Sequence, residues 1–457
     1  MTPPHDDLTA LRSAIAGSVV TPSDEGWDAA RAAWNTAADR QPDLIALPRS
    51  TADVVAIVAF ARAAGLRIAP QCSGHNASAL PPLTGTVLVS TTNMAGASVD
   101  PVSRTLRVEA GTCWGTATSA IDQHGLFAAS GSSPDVGVVG YVLGGGLSLM
   151  GRTLGLAANH VTSLDVVTPD GAVHTATAKA DADLFWALRG GGANFGIVTA
   201  MELQLFPLTN VTAGMFVWPY AQRADVVTAW YRWTRTAPQD ATTSLRLITF
   251  PPSDELPPYL SGQSVVIIDG TVVGGDAEPI LADLRALHPH VDTWTPRSAG
   301  DMEHLHLDPG QPVPFCSTTA LLDDIDDIGL SAFADLMSCD DPLMFVELRH
   351  LGGALAAEGS LDGGATCGLP GEFLLYAVGV GFDATAIEPA LAVARTAMAP
   401  YANGKCFANF AERPTDSETL FCDNSFQRLQ HLRARIDPNN VMLAAHPISP
   451  GCSRTPQ

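Results

Sequence analysis

His75 closes the run Ala69-Pro70-Gln71-Cys72-Ser73-Gly74-His75-Asn76-Ala77, where a short apolar stretch gives way to small residues. A histidine placed after such a turn presents its ring to a ligand lying along it, and the turn's backbone N–H groups can cradle a phosphate. On its own the run equally fits a buried histidine that satisfies local hydrogen bonds. A second segment runs Gly131-Ser132-Ser133-Pro134-Asp135-Val136-Gly137-Val138-Val139-Gly140-Tyr141-Val142-Leu143-Gly144-Gly145-Gly146. Its six glycines in sixteen residues let the backbone approach a flat or charged ligand with no Cβ in the way. It is neither the dinucleotide fingerprint G-x-G-x-x-G nor a P-loop, since no Gly-Lys-Ser/Thr follows.

Two further segments repeat the theme. Asp183 to Thr199 holds Arg189-Gly190-Gly191-Gly192-Ala193-Asn194-Phe195-Gly196, a helix ending in glycines, and Ile197-Val198 then opens a strand. Near the C-terminus stand Cys406-Phe407-Ala408-Asn409-Phe410, Asp437-Pro438-Asn439-Asn440 and His446-Pro447.

The elements that must position these groups follow from periodicity and punctuation. Over 36–209 helix and strand alternate. Thr51 reads as an N-cap with Asp53 in the first turn. Val54, Ile57, Val58 and Ala61 recur at helical spacing and Gly65 ends the helix. Leu66 to Ala69 is a short strand leading to the His75 turn, and Val87–Val89 and Thr105–Val108 are further strands. Thr112 to His124 is a helix closed by Gly125. Residues 210–400 change texture, with the aromatic cluster Trp218, Tyr220, Trp230, Tyr231 and Trp233. Ser264–Ile268, Leu343–Leu348 and Phe373–Val380 read as strands of an antiparallel sheet backed by helices. The acidic run Asp323 to Asp327 reads as a solvated loop or helix start. Residues 401–457 look like a return to the first domain. The fold class is α+β.

At 457 residues the chain has room for roughly two to three domains. Its 47 acidic residues against 25 basic ones, net −22, argue against a nucleic-acid or anionic-membrane partner. No apolar run reaches the roughly 18 residues of a membrane span. With no signal peptide evident and no C-x-x-C pair among eight cysteines, a reduced cytoplasmic protein is expected. A disulfide among Cys339, Cys367, Cys406 and Cys422 stays open, and no metal site is expected. The oligomeric expectation is a monomer or homodimer.

Together the four segments resemble the berberine-bridge-enzyme-like branch of the vanillyl-alcohol-oxidase superfamily, from about Trp34 to Ile448. The resemblance implies a two-part PCMH-type FAD-binding domain (36–209), a substrate-binding domain (210–400) and a C-terminal segment (401–457) that rejoins the first. It implies FAD held by Gln71, Cys72, Ser73, Gly74, His75 and Asn76 and by Gly131, Ser132, Ser133, Asp135, Val136, Gly137, Gly140, Tyr141, Gly144, Gly145 and Gly146. Ile197, Val198, Phe407 and Asn409 complete that set. It also implies that His75 carries a covalent link to the flavin 8α position. Ser133 stands where many relatives have a second linking cysteine, so a single link through His75 is expected; Cys72 and Cys113 read as packing residues. Val136 matches the position that gates oxygen, and its small side chain favours an oxidase.

The family's C-terminal tyrosine base is absent, because Phe407 and Phe410 hold no proton. General-base help is worth about 10²–10⁴-fold, so a replacement matters. His304, His306, Glu347, His350, Glu372 and Tyr376 are the candidates, with Tyr376 and Glu372 preferred. His304 and His306 alternate at strand spacing, and Glu347 and Arg349 read as a structural pair. The resemblance thus implies hydride removal from a substrate C–H, with O2 reduced to hydrogen peroxide. Alcohol oxidation or oxidative cyclisation of a hydrophobic specialised metabolite leads. A carbohydrate-hydroxyl oxidase, a flavin-binding protein that has lost its base, and a metal hydrolase built on His304, His306 and Asp308 follow.

Overall fold

Leu44, Ile45, Val87, Leu88 and Ile68 are wholly buried, as the strands of a parallel sheet covered on both faces must be. In the computed structural model, which describes residues 5–207, 211–338, 341–356 and 363–451, they form a four-stranded sheet. Its order is Ser18–Val20, Leu44–Leu47, Thr86–Ser90, Arg67–Gln71. The first pair is antiparallel and the rest parallel. Helix Thr51–Ala63 packs on it through Val54, Ile57, Val58 and Ala61, the spacing read from the sequence. Ser50, one residue before the expected cap, accepts from the Asp53 N–H and is the true N-cap. The Asp53 carboxylate is turned to other work and accepts from the N–H groups of Ala16, Gly17 and Arg49. Those backbone donors hold its acid below the usual range against the cost of burial.

A second sheet is antiparallel, in the order Ala97–Asp100, Thr105–Glu109, Ile197–Gln204, Val161–Val167, Val173–Ala176. Helices Trp114–Asp122, Val138–Leu143 and Ala182–Gly191 share a core with it. The C-terminal part of the chain belongs partly to this half. Helix Asp423–Ile436 contributes Leu429 and Leu432 to that core, and Met442 bridges Ile68 at the edge of the first sheet. Its beginning is shared, since Ala402 bridges Leu322 of the other half.

Besides a short pair of Leu126–Phe127 with Phe206–Pro207, a further sheet is large and antiparallel. Its path is Val291–Asp292, Val211–Pro219, Ser264–Val273, Ala241–Thr249, Leu343–His350, Phe373–Val380, Phe315–Leu322. Three of its long strands, at 211–219, 241–249 and 315–322, were not expected from the sequence. Period-two alternation sorts the side chains. Leu245, Leu247, Val346, Leu348, Leu375 and Ala377 face helices Arg223–Thr234, Ala277–Arg285, Asp327–Ala334 and Ala384–Met398. Arg246, Asp269, Glu347, Arg349 and Tyr376 stand on the opposite face, turned toward the first two sheets. The acidic run starts a helix, with Asp326 capping Gly329.

His304 and His306 do not lie on a strand. They follow helix Ala299–Met302 in a turn, with His304 exposed and His306 buried. Cys367, Cys406 and Cys422 are free thiols, and Cys339 lies outside the described residues. No described helix is long and apolar enough to cross a membrane.

Candidate active site

The strand Arg67–Gln71 delivers the chain to a tight turn. Gly74 has φ +83°, and a Cβ there would come within 2.8 Å of the Ala33 side chain, so only glycine closes it. The Trp34 N–H donates to Ser73 O at 2.9 Å, which lays the Trp34 ring over His75, centroids 4.6 Å apart and planes 14° from parallel. Ser73 Oγ lies 2.8 Å from His75 Nδ1, leaving Nε2 buried with no protein partner. Burial drives the imidazole down to about 4 despite Asp308, so it is neutral at ordinary pH.

His75 borders a cavity of about 430 Å³ between the two halves of the molecule. One wall is the glycine-rich segment. Gly131, Ser132, Ser133, Val136, Gly137, Gly140, Tyr141 and Gly144 line it. At Gly137 a Cβ would meet Cys72 Sγ at 2.6 Å, and at Gly144 it would meet Asn409 Oδ1 at 2.8 Å. At Gly140 and Gly192 it would meet no protein atom within 4 Å. Gly190, Gly191, Gly192, Ala193, Asn194, Gly196 and Val198 continue the wall, and Ala408, Asn409 and His446 close it.

Several of the sequence-derived residues serve this wall from behind. Ile197 is buried in the core of the first sheet, because strand neighbours point to opposite faces and Val198 takes the cavity side. Gly145 (φ +115°) and Gly146 (φ +76°) pack on Phe407, Ala157 and Tyr141 and do not border the space. Phe407 is likewise buried in a small core with Leu147, Leu156 and Leu374. Asp135 is half-buried and lies outside the lining. Asn409 borders the cavity while clamping the segment: it accepts from the Gly146 N–H and donates to Tyr141 O, both at 3.0 Å.

The residues fit a flavin nucleotide. Gln71 Oε1, His75 Nε2, Asn76 Oδ1 and His446 Nδ1 are buried polar atoms without protein partners, and all belong to residues lining this one cavity. Such groups cost free energy unless a ligand pairs with them. A glycine-floored slot beside them admits a planar ring system.

The opposite wall comes from the large sheet. Val313, Phe315, Met344, Phe345, Val378 and Val380 make it largely apolar, and Tyr376, Arg349, Asp308, Phe410 and Glu412 add the chemistry. Tyr376 donates its phenolic hydrogen to Glu412 Oε2 at 2.6 Å, and Ser317 Oγ donates to the same oxygen at 2.8 Å. Burial pushes the Glu412 carboxyl up to about 7, with the two hydrogen bonds opposing. Tyr376 is raised well above its ordinary value by burial and by Glu412. Its ring stands edge-on to Phe410, centroids 4.9 Å apart.

Glu372 is elsewhere. It lies at the surface, half-exposed, 3.4 Å from Arg235, and the cavity does not include it. It precedes the strand Phe373–Val380 that carries Tyr376, and its partner Arg235 caps helix Arg223–Thr234 on the far side of the sheet. His350 packs against Trp230 and Phe373 on the helix side of the sheet. Glu347 forms the expected pair with Arg349, Nε to Oε1 2.8 Å. Against the cost of burial, Arg349 and His306 hold its acid down to about 2, so it is no base. The sequence reading missed Trp34, Arg349 and above all Glu412. No spacing rule marks a glutamate two residues beyond an aromatic motif.

Comparison with known proteins agrees with this geometry. Residues 42–177 match the family described as FAD binding domain. The chain is 33% identical over 205 residues to (R)-6-hydroxynicotine oxidase of Paenarthrobacter nicotinovorans, covering 45% of each protein. The curated relatives it matches are covered over about half their length or less. Among solved structures, BBE-like 1 of Physcomitrella patens superposes with TM-score 0.84 at 20% identity, covering 97% of this chain and 99% of that one. A glucooligosaccharide oxidase of Acremonium strictum, whose FAD is 6-S-cysteinyl, 8α-N1-histidyl, superposes with TM-score 0.81 at 22% identity, covering 97% and 98%. The chain therefore carries an FAD binding domain and has, over nearly its whole length, the fold of the BBE-like and oligosaccharide-oxidase flavoproteins.

Proposed function

We propose that the protein is an FAD-dependent oxidase of a hydrophobic small molecule, with Tyr376 and Glu412 as its proton-accepting pair and His75 as the single covalent anchor of the flavin. FAD, when bound, takes a hydride from a substrate C–H bond and passes the electrons to O2, giving hydrogen peroxide. The protein's part is to hold the cofactor, orient the substrate, keep water out and move one proton.

His75 supports the anchoring role because its free Nε2 faces the cavity from a neutral ring held by Trp34 and Ser73. Ser133 and Val136 both line the cavity. A serine hydroxyl forms no thioether, which supports one link, and a valine beside the ring leaves room for O2. The apolar wall of Phe315, Phe345, Val378 and Val380 supports a hydrophobic substrate over a bare sugar.

The single observation that carries the reading is the part-buried hydrogen bond from Tyr376 to Glu412 at the cavity wall. Tyr376 alone is too weak an acid to be ionised near neutral pH, and burial makes it weaker. Paired with a carboxylate it needs no prior ionisation. As the substrate hydroxyl or C–H is oxidised, the Tyr376 oxygen accepts the departing proton and passes its own to Glu412 Oε2. A carboxyl poised near 7 is matched to that task. This replaces the base that Phe407 and Phe410 do not supply, and it weighs against a protein that merely stores flavin. The free thiols among the described cysteines suit a reducing compartment such as the cytoplasm.

The test is direct. Purified protein should be yellow, its colour should remain in the acid-precipitated pellet, and His75→Ala should release it. Peroxide should appear when hydrophobic alcohols and phenols are supplied with O2. Bound flavin with no turnover across such a panel would sink the oxidase reading.

A further inference from the structure

The cavity face of the large sheet carries a buried ionic chain. Ser244 Oγ donates to Asp269 Oδ1 at 2.6 Å, Arg246 pairs with Asp269 Oδ2, and His306 Nδ1 lies 3.0 Å from that oxygen. His306 Nε2 lies 3.2 Å from Glu347 Oε1, and Arg349 Nε reaches the same oxygen at 2.8 Å. Arg246, Asp269, His306 and Glu347 are each at most 3% exposed. Arg349 is the end of the chain that reaches the cavity, with its guanidinium 4.8 Å from the centre of the Phe410 ring.

Two features of this chain call for a ligand. Three basic groups, Arg246, His306 and Arg349, share two carboxylates. His306 sits between both acids, which outweigh its burial and keep it above its ordinary value. Of the members of this cluster only Arg349 borders the open space. Nε and Nη2 of Arg349 both lie against the Glu347 carboxylate, with Nη2 also 3.0 Å from His306 Nε2, whereas no described residue accepts from Nη1. Arg349 is also the sole lysine or arginine among the residues lining the cavity. Asp308 stands at the exposed mouth with its carboxylate on Ser132 Oγ at 2.7 Å, and it acts on Arg349 only at a distance.

We propose that Arg349 anchors an acidic oxygen group of the substrate, a carboxylate or an ionised phenol or enol carried on a hydrophobic body; this rests on the flavin-oxidase reading of the same cavity. The guanidinium is planar, permanently charged and fixed on two sides, so little freedom is lost when an oxyanion docks on its remaining edge. Both Arg349 and Tyr376 touch the Phe410 ring, so an aromatic substrate lying on that ring brings one end to the anchor and the other to the proton acceptor. Asp269, Arg246 and His306 are positioning residues: they touch no substrate and hold Glu347 and, through it, Arg349.

The test uses the flavin-loaded protein and two probes of equal size, 2-naphthoate and 2-naphthamide, titrated against the visible spectrum of the flavin. The wild type is expected to bind the acid roughly tenfold more tightly than the amide, as a charge-assisted bond exceeds a neutral one. Arg349→Met should lose that preference with amide binding unchanged, and Arg349→Lys should retain part of it. Because Arg349→Met strands the Glu347 carboxylate, the double variant Glu347→Gln, Arg349→Met serves as a second folded reference. Equal binding of acid and amide by the wild type, or a preference that survives in the double variant, overturns the assignment. So does an Arg349→Met variant that alters sulfite affinity of the flavin but leaves the acid-to-amide ratio intact, which puts the guanidinium on the cofactor. A protein that purifies without flavin sinks the proposed function instead. The same titration then reads the fluorescence of Trp34 and Trp114, both in the cavity wall, and the preference stands or falls as before.

Discussion

The two walls of the cavity are made by opposite strategies. The wall assigned to flavin is largely backbone: glycines at 131, 137, 140, 144 and 190–192, with the imidazoles of His75 and His446 kept neutral by burial. The wall assigned to substrate is side chain: aromatic groups, a phenol and an arginine on a strand face, with one glutamate from the C-terminal segment beside them. A wall of backbone can accept one shape of ligand and little else. A wall of side chains can be re-cut residue by residue, so one fold can serve several chemistries. Within the substrate wall the contrast repeats. Glu347 is held down to about 2 by Arg349 and His306, whereas Glu412, with only neutral donors on it, is pushed up to about 7. One glutamate behind the cavity, Glu347, is thus a permanent anion, while the one that borders it, Glu412, is suited to the proton-accepting role proposed for it.

The hardest blow to that division is Glu412→Gln. If Glu412 takes the proton, kcat/KM falls by roughly 10²–10⁴-fold, and the rise in activity as pH passes upward through about 7 disappears with it. The limb has that direction because only the unprotonated carboxylate can accept. Tyr376→Phe should fall by a similar factor, and the double variant should lose little more, since the pair acts as a unit. A full pH profile on the three variants checks this; an unaltered limb in Glu412→Gln would assign the proton to another group.

The two phenylalanines of one short motif sharpen the contrast between wall and support. Phe407 is 1% exposed and packs under Gly145, so Phe407→Ala should cost about 3–5 kcal/mol of stability. Phe410 faces the cavity, so Phe410→Ala should act mainly on KM. Denaturant unfolding of both variants beside steady-state kinetics separates the two outcomes. Comparable losses of stability would erase the distinction.

Glu412 also makes a claim on stability. Its folded pKa lies above the ordinary 4.5, so the protonated form is the one the fold favours. The wild type is then relatively most stable below about 4.5 on this account, and loses on the order of 3 kcal/mol as pH rises through 7. Glu412→Gln should flatten that part of the profile. Glu347 has the opposite sign, contributing stability above its unfolded range and losing it only as pH falls toward 2. Melting curves between pH 4 and 8 on the wild type and Glu412→Gln show whether the high-pH loss belongs to this residue.

How far the sequence could be read follows the same line between the walls. Backbone cradles advertise themselves, because a closely approached turn needs glycine and glycines are visible in one dimension. The His75 turn and the segment 131–146 were legible for that reason. Neighbouring strand residues point opposite ways, so the step from Ile197 to Val198 needed the register, which spacing alone does not fix. The substrate wall was legible only where one strand carried two partners, as with Glu347 and Arg349. Glu412 meets Tyr376 from 36 residues away, and the Asp269–His306 contact joins a strand to a turn. Charge pairs of that kind arise from the packing of separate elements, and no local pattern announces them.

Glu372 is where the comparison is weakest in size and most telling in logic. It lies one residue before the strand of Tyr376, and the sequence pairs the two as catalytic candidates, yet it sits beside Arg235 with its side chain 46% exposed. An exposed ion pair of that kind contributes little, so Glu372→Ala should leave stability within about 0.5 kcal/mol and kcat/KM within measurement error. The result discriminates because Glu412→Gln removes the same chemical group from the side of Tyr376, where the cavity lies. If both variants lose activity alike, the proton-accepting chemistry is not confined to the cavity. If only Glu412→Gln does, burial beside Tyr376, and not the carboxylate as such, is what makes the acceptor.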